Sequence, residues 1–140
     1  MTEQKWNLKQ DSGLAKDIAK AVNGEYSAIT CYGKLIEMAP TERERNLINE
    51  IRNDEIRHFH EFYAIYMLLT NTQPIPQVTE QCPEPYTEGL RFAFHDEQET
   101  VDVYLDIADR ASHPFIRDIF RRAAADEQNH AVWFLSFMGR

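Results

Sequence analysis

The chain has 140 residues and a mass of 16.4 kDa, with 43% apolar and 27% charged residues, the composition of one folded domain able to bury its own core. Its 15 basic residues against 23 acidic ones leave a net charge of −8, which argues against nucleic acid as a partner. The longest apolar run, residues 131–138, is broken by Ser136 and cannot span a membrane; no basic stretch followed by an apolar one opens the chain, so a cytoplasmic protein is expected.

Residues 1–10 read as a polar tail whose Trp6 and Leu8 could dock onto the body. Asp11 and Ser12 are N-cap candidates for a first helix running to about Met38. After Pro40, Thr41 and Glu44 form a Thr-x-x-Glu capping box that opens a second helix to about Thr70. Residues 71–85 carry Pro74, Pro76, Pro83 and Pro85 without apolar periodicity, an extended connection. A third helix is expected over about 86–111. Ser112 as N-cap and Pro114 as early-helix proline then open a fourth over about 113–138. No alternating run is bounded by hairpin signals, so no strands are expected and the fold class is all-α. Cys31 and Cys82 form no Cys-x-x-Cys pair; neither a disulfide scaffold nor a thiolate zinc site is expected, and Cys31 reads as a small buried residue.

Apolar residues recur at alternating steps of three and four, the inward stripe of a bundle helix. The first stripe is Leu14, Ile18, Ala21, Glu25, Ala28, Tyr32, Leu35, and the second Ile48, Ile51, Glu55, His58, Phe62, Ile65, Leu69. The third is Leu90, Ala93, Glu97, Thr100, Tyr104, Ile107, Ala111, and the fourth Ile116, Phe120, Ala123, Glu127, His130, Phe134, Phe137. Each is interrupted near its middle by a glutamate, and the second and fourth also by a histidine one turn on. Tight connections near 40 and 112 make two antiparallel hairpins. Helices of this size are rods of about 40 Å, and the 15-residue connection can stretch to roughly 50 Å, so it crosses the length of a four-helix bundle.

A shift of 72 residues superposes the halves: Glu25 on Glu97, Tyr32 on Tyr104, Arg45 on Arg117, Asp54 on Asp126, Glu55 on Glu127 and His58 on His130. Each lone glutamate lies 30 residues before its paired one, across a hairpin turn, so the two face each other at one height. Four glutamates and two histidines therefore meet at the bundle's midsection. Four desolvated carboxylates repel one another, and each buried ion costs several kcal/mol. Two divalent cations would balance four negative charges, and Glu-x-x-His puts a carboxylate and an imidazole on one helix face within reach of the same ion.

With these residues the chain resembles the ferritin-like superfamily, most of all the erythrin (di-iron) domain of rubrerythrins. The resemblance spans residues 25–130. It implies Glu25 and His58 as terminal ligands of one metal, Glu97 and His130 as those of the other, and Glu55 and Glu127 bridging both. Two iron ions are the implied cofactor, and manganese or zinc would also suit the mixed oxygen and nitrogen ligands. Asp54 would hold His130 and Asp126 would hold His58 across the bundle. Tyr32 and Tyr104, seven residues after the lone glutamates, would donate O–H bonds to ligand carboxylates and could assist proton delivery. Rubrerythrins carry a further, redox-exchanging glutamate where Thr100 stands, so that ligand exchange is not expected. Their rubredoxin module is absent too, which implies a separate electron donor such as a rubredoxin-like protein. Cage ferritins add a short fifth helix; no 24-subunit shell is expected.

The remaining polar residues read as ordinary. His60, His95 and His113 lie off the stripes as solvated or capping histidines, and Glu99 as a surface charge. Val101, Val103 and Leu105 extend the third helix's apolar character beyond one face, from which a homodimer interface is expected. The reading that follows is a di-iron oxidoreductase acting on peroxide or dioxygen. Iron oxidation for storage or metal buffering, and a bundle stapled by metal, are the alternatives.

Overall fold

The computed structural model of the chain describes residues 8–139, with side chains from residue 13 onward; the expected docking of the Trp6 and Leu8 side chains lies outside them. Four helices follow in order: α1 (Leu8–Met38), α2 (Glu42–Thr70), α3 (Tyr86–Arg110) and α4 (Pro114–Met138). α1 starts ahead of Asp11 and Ser12, which therefore lie inside the helix instead of capping it. Leu8, Lys9 and Gln10 are all good helix formers, so nothing in the local sequence stops the helix at Asp11.

α2 opens on the expected Thr41 cap, with the Glu44 side chain closing back onto the threonine hydroxyl. Thr41 Oγ1 accepts from the Glu44 amide at 3.1 Å and donates to the Glu44 carboxylate at 2.7 Å. It closes on Asn71 in the left-handed region, φ 58°, whose amide donates to the Met67 carbonyl. At α4 the cap is His113, not Ser112: its Nδ1 accepts from the Phe115 amide at 3.1 Å, with Pro114 in the first turn. The halves share a further device. Arg45 donates to the Ala39 carbonyl at 2.8 Å and Arg117 to the Ala111 carbonyl at 3.2 Å, each tying its hairpin turn to the preceding helix end.

α1 packs on α2 and α3, and α4 on α3 and α2, leaving α1 and α4 on one diagonal and α2 and α3 on the other. The connection over residues 71–85 doubles back beside α1. The Gln77 amide donates to Asn23 Oδ1 at 3.0 Å, the Thr79 amide to Ser27 Oγ at 2.9 Å, and Cys82 forms a disulfide with Cys31. This overturns the expectation that the two cysteines stay unpaired. They are 51 residues apart, and only the path of the crossover brings their Cα atoms to 5.0 Å. α3 thus begins beside the α1–α2 turn, where the Tyr86 hydroxyl donates to Glu44 at 3.2 Å. It ends near the start of α1, where Arg110 meets Asp17 at 2.6 Å. Gly89 permits the close approach: a Cβ there would lie 2.6 Å from Leu35 Cδ2 and 3.2 Å from the Pro83 carbonyl oxygen.

Every stripe position is buried except Leu69 and Thr100, which are half-buried. The apolar core falls into two clusters: one around Ile18, Phe62, Tyr104 and Phe120, where Phe62 and Phe120 stack at 4.2 Å between ring centroids, and one around Tyr32, Leu35, Leu90 and Phe134. Each fully buried large apolar side chain contributes about 1.5–3 kcal/mol, so the clusters are the part of the fold able to hold a polar layer between them. On the outside of α3, Val101 is half-buried against the core while Val103 and Leu105 face outward. Among the described residues no helix is long and apolar enough to cross a membrane.

Candidate metal centre

All four helices place one glutamate in the layer between the two clusters, and α2 and α4 each add a histidine one turn later. Glu25, Glu55, His58, Glu97, Glu127 and His130 are each at most 2% exposed. Their side chains form two overlapping groups, Glu25–Glu55–His58–Glu127 and Glu55–Glu97–Glu127–His130, whose nearest donor atoms all lie within 4.8 Å of one another. Glu55 and Glu127 belong to both. His58 Nδ1 lies 3.1 Å from Glu127, 3.5 Å from Glu55 and 3.6 Å from Glu25. His130 Nδ1 lies 3.2 Å from Glu55, 3.4 Å from Glu97 and 3.9 Å from Glu127.

What these atoms lack is as informative as what surrounds them. Glu25 Oε2, Glu55 Oε1, His58 Nδ1, Glu97 Oε2, Glu127 Oε1 and His130 Nδ1 are fully buried without a hydrogen-bond partner. One such atom comes from each of the six residues, and all point into the same layer. A buried unsatisfied polar atom ordinarily costs about 1–3 kcal/mol, and more when charged. Six converging on one place fit a pair of cations, which is the arrangement that satisfies carboxylate oxygens and imidazole lone pairs together.

The outward-facing atoms of the same groups are satisfied. His58 Nε2 meets Asp126 at 2.8 Å, and His130 Nε2 meets Asp54 at 2.8 Å, each acid reaching the histidine of the other half. A carboxylate acceptor requires the proton on Nε2, so the neutral ring presents its Nδ1 lone pair to the layer. Tyr32 OH donates to Glu97 at 2.5 Å, and Tyr104 OH donates to Glu25. These bonds also cross between halves. Arginines that the sequence did not single out brace the acids: Arg57 meets Asp126 at 2.6 Å and Asp54 at 3.2 Å, and Arg122 meets Asp126 at 3.1 Å. Arg57 follows Asp54 by three residues and Arg122 precedes Asp126 by four; that helical spacing was the available signal. His60, His95 and Glu99 are exposed, away from the layer.

Without cations the layer holds its charge unevenly. Burial, then the neighbouring carboxylates, push Glu25 and Glu127 well above the usual carboxylate range, and Glu97 is raised for the same reasons. Glu55 goes the other way: burial opposes its charge, but the imidazoles of His130 and His58 outweigh it and hold the carboxyl low. The histidines are its counterpart. Burial would lower them, but Asp126, Glu25 and Glu55 push His58 up to about 12, and Glu55 and Glu97 push His130 up to about 11. Burial and the adjacent Glu97 or Glu25 charge raise Tyr32 and Tyr104, so both remain O–H donors.

The layer opens on one side only a little. Between α1 and α3 a cavity of about 240 Å³ reaches Glu25, Glu55 and Glu127. Small residues of α1, namely Ala21, Gly24 and Ala28, form one wall, Thr100 and Val103 of α3 the other, and Lys20 and Asp96 stand at its edge. The half-buried Thr100 is the stripe position that leaves this side unsealed.

A sequence model of the Rubrerythrin family matches residues 88–140, the part that carries Glu97, Glu127 and His130. YhjR, an uncharacterized protein of Bacillus subtilis strain 168, is 50% identical over 130 residues, covering 93% of this chain and 90% of that protein. Among solved structures, a ferritin-like, diiron-carboxylate protein from Bacillus anthracis superposes with a TM-score of 0.77 at 21% identity, over 93% of this chain and 98% of the other. The conserved hypothetical protein rv2844 of Mycobacterium tuberculosis gives 0.80 at 15% identity, over 92% and 93%.

Proposed function

The chain belongs to the same family as YhjR, and we propose that it is a rubrerythrin-like di-iron oxidoreductase that reduces peroxide, or dioxygen, at the buried layer, a reading supported by the Rubrerythrin match over residues 88–140 and by the ferritin-like fold. The observation that carries this reading is the set of six orphaned ligand atoms, one from each of Glu25, Glu55, His58, Glu97, Glu127 and His130. Glu25 and His58 would hold one iron, Glu97 and His130 the other, with Glu55 and Glu127 shared between them. When bound, the iron pair supplies Lewis acidity toward an O–O bond and electrons to cleave it.

The chain's own residues do the rest. Asp126 and Asp54 fix the tautomers of His58 and His130, keeping both Nδ1 lone pairs turned inward. Tyr104 and Tyr32 each hold a proton against a terminal carboxylate, Glu25 and Glu97, where a reduced oxygen would need one. The cavity between α1 and α3 is wide enough for a molecule of a few atoms and lined mostly by small or apolar groups, which favours a small neutral substrate. The surrounding clusters exclude bulk water, so electrostatic interactions within the layer are stronger than they would be in solution.

The test is spectroscopic. Disulfide-intact protein loaded anaerobically with ferrous iron and mixed with one equivalent of hydrogen peroxide should develop ferric absorption as the peroxide disappears. An unchanged spectrum with peroxide left in solution would remove the redox reading. Uptake of many irons per chain into a mineral core would replace it with storage.

A further inference from the structure

We propose that Cys31 and Cys82 are a redox pair that supplies the electrons for peroxide reduction at the neighbouring centre, cycling between a dithiol and the disulfide seen here. The proposal rests on the peroxide-reducing reading above and adds an electron source within the chain.

Position is the first argument. Cys31 immediately precedes Tyr32, whose hydroxyl is bonded to the ligand candidate Glu97. The buried Cys31 lines a cavity of about 150 Å³ together with Tyr32, Gly24, Ala28 and Asp96. Gly24, Ala28 and Asp96 also line the opening that reaches Glu25, Glu55 and Glu127. The disulfide therefore sits along the same α1–α3 groove as the centre.

The second argument is the unequal setting of the two sulfurs. Cys31 is 3% exposed and fixed in the last third of α1, while Cys82 is half-buried on the crossover. The crossover has no regular secondary structure, and two of its ties to α1 are hydrogen bonds through the Asn23 and Ser27 side chains. A disulfide that joins a buried cysteine on a helix to a half-buried one on a segment outside any helix can be opened by movement of that segment alone, which is what thiol–disulfide exchange needs. Where the surroundings are reducing, a disulfide that forms is usually transient and catalytic or redox-sensing.

The peroxide step balances by itself, and an external dithiol closes the cycle. Two thiols and one hydrogen peroxide give one disulfide and two waters. Two S–H bonds and the O–O bond break, the S–S bond forms, and two electrons and two protons pass from sulfur to oxygen. An external dithiol, of a small redox protein or a reagent, then attacks Cys82 Sγ and forms a mixed disulfide, releasing Cys31 as thiolate. Its second thiol resolves the mixed disulfide, leaves oxidised, and restores both cysteines.

The experiment uses the full chain loaded with ferrous iron, reduced with dithiothreitol, desalted anaerobically and titrated with hydrogen peroxide. Free thiols are counted by alkylation and intact mass while iron is followed by absorption. Two thiols should disappear per peroxide, with ferrous iron spared until they are gone, and their loss should be at least ten-fold faster than in metal-free protein. In Cys82→Ser, peroxide turnover driven by dithiothreitol should fall at least ten-fold while turnover driven by dithionite persists. Thiols that survive while iron is oxidised would overturn the inference and leave the di-iron reading standing. So would thiols lost equally fast without metal, or a disulfide that dithiothreitol cannot open in the folded protein. If disulfide-intact, iron-loaded protein also ignores peroxide, both readings fall.

Discussion

Replacing the two acids behind the histidines should weaken the two halves of the centre unequally. Asp126 is 9% exposed and accepts from His58 at 2.8 Å, Arg57 at 2.6 Å and Arg122 at 3.1 Å. Asp54, with its side chain 36% exposed, accepts from His130 at 2.8 Å and Arg57 at 3.2 Å. Loss of a carboxylate behind a ligand histidine typically weakens metal binding 10–100-fold, which is about 1.4–2.7 kcal/mol. Asp126→Ala belongs at the upper end, because a drier acid loses more and Arg57 and Arg122 each lose their shortest ion-pair contact. Asp54→Ala belongs at the lower end, because water can replace a half-exposed carboxylate. Chelator competition with cobalt(II), followed by ligand-field absorption, reads the two sites as successive steps. Asp126→Ala should weaken the Glu25–His58 step by close to 100-fold and Asp54→Ala the Glu97–His130 step by close to ten-fold. Equal losses, the reverse order, or unchanged binding in both variants would refute the assignment of these acids.

Further outcomes follow from the same geometry. The raised carboxyls and both histidines have folded pKa values above their unfolded ones, so their stabilisation is greatest at low pH and is lost as pH rises. The metal-free protein should therefore lose thermal stability from pH 5 to pH 8. Glu55 and Asp126, which are lowered, complete their opposite contribution below that window. Metal must displace the bound protons, so the rise in Tm on loading should grow over the same range. Calorimetry on metal-free protein showing Tm climbing steadily from pH 5 to pH 8 would contradict the charge distribution. Gly24→Leu should slow peroxide reaction at least ten-fold with little change in metal content, because a Cβ at Gly24 meets nothing within 4 Å and the larger side chain fills the opening instead of the core. Stopped-flow rates equal to the wild type would mean that substrate enters elsewhere.

The bundle and its polar layer could be read in the sequence because both are written in periodicity. A stripe repeating at three and four residues fixes which face is buried, and a glutamate on it is buried with the rest. Thr100 shows where that logic stops: it occupies a stripe position yet is half-buried, because the opening between α1 and α3 begins there. The cap of α4 was legible but misassigned. The 72-residue shift maps Thr41 onto His113, and the general preference for serine at a cap drew the boundary one residue early to Ser112. The disulfide was not legible, since neither cysteine carries a spacing signal and only the crossover's path along α1 joins positions 51 residues apart. The arginine braces were hidden for a related reason. Arg57 and Arg122 are exposed, where the apolar pattern is silent; Arg122 reaches Asp126 along its own helix, whereas the reach of Arg57 to Asp126 is set by the packing of α2 against α4.

The most direct measurement is a crystal structure of protein grown with ferrous iron, with anomalous data collected on both sides of the iron absorption edge. Two strong peaks within the buried layer are predicted, one among Glu25, Glu55, His58 and Glu127 and one among Glu55, Glu97, Glu127 and His130, and none in a Glu55→Ala, Glu127→Ala double variant. An iron-replete crystal with no peak there, and the six side chains hydrogen-bonded to one another or to water, would contradict the account.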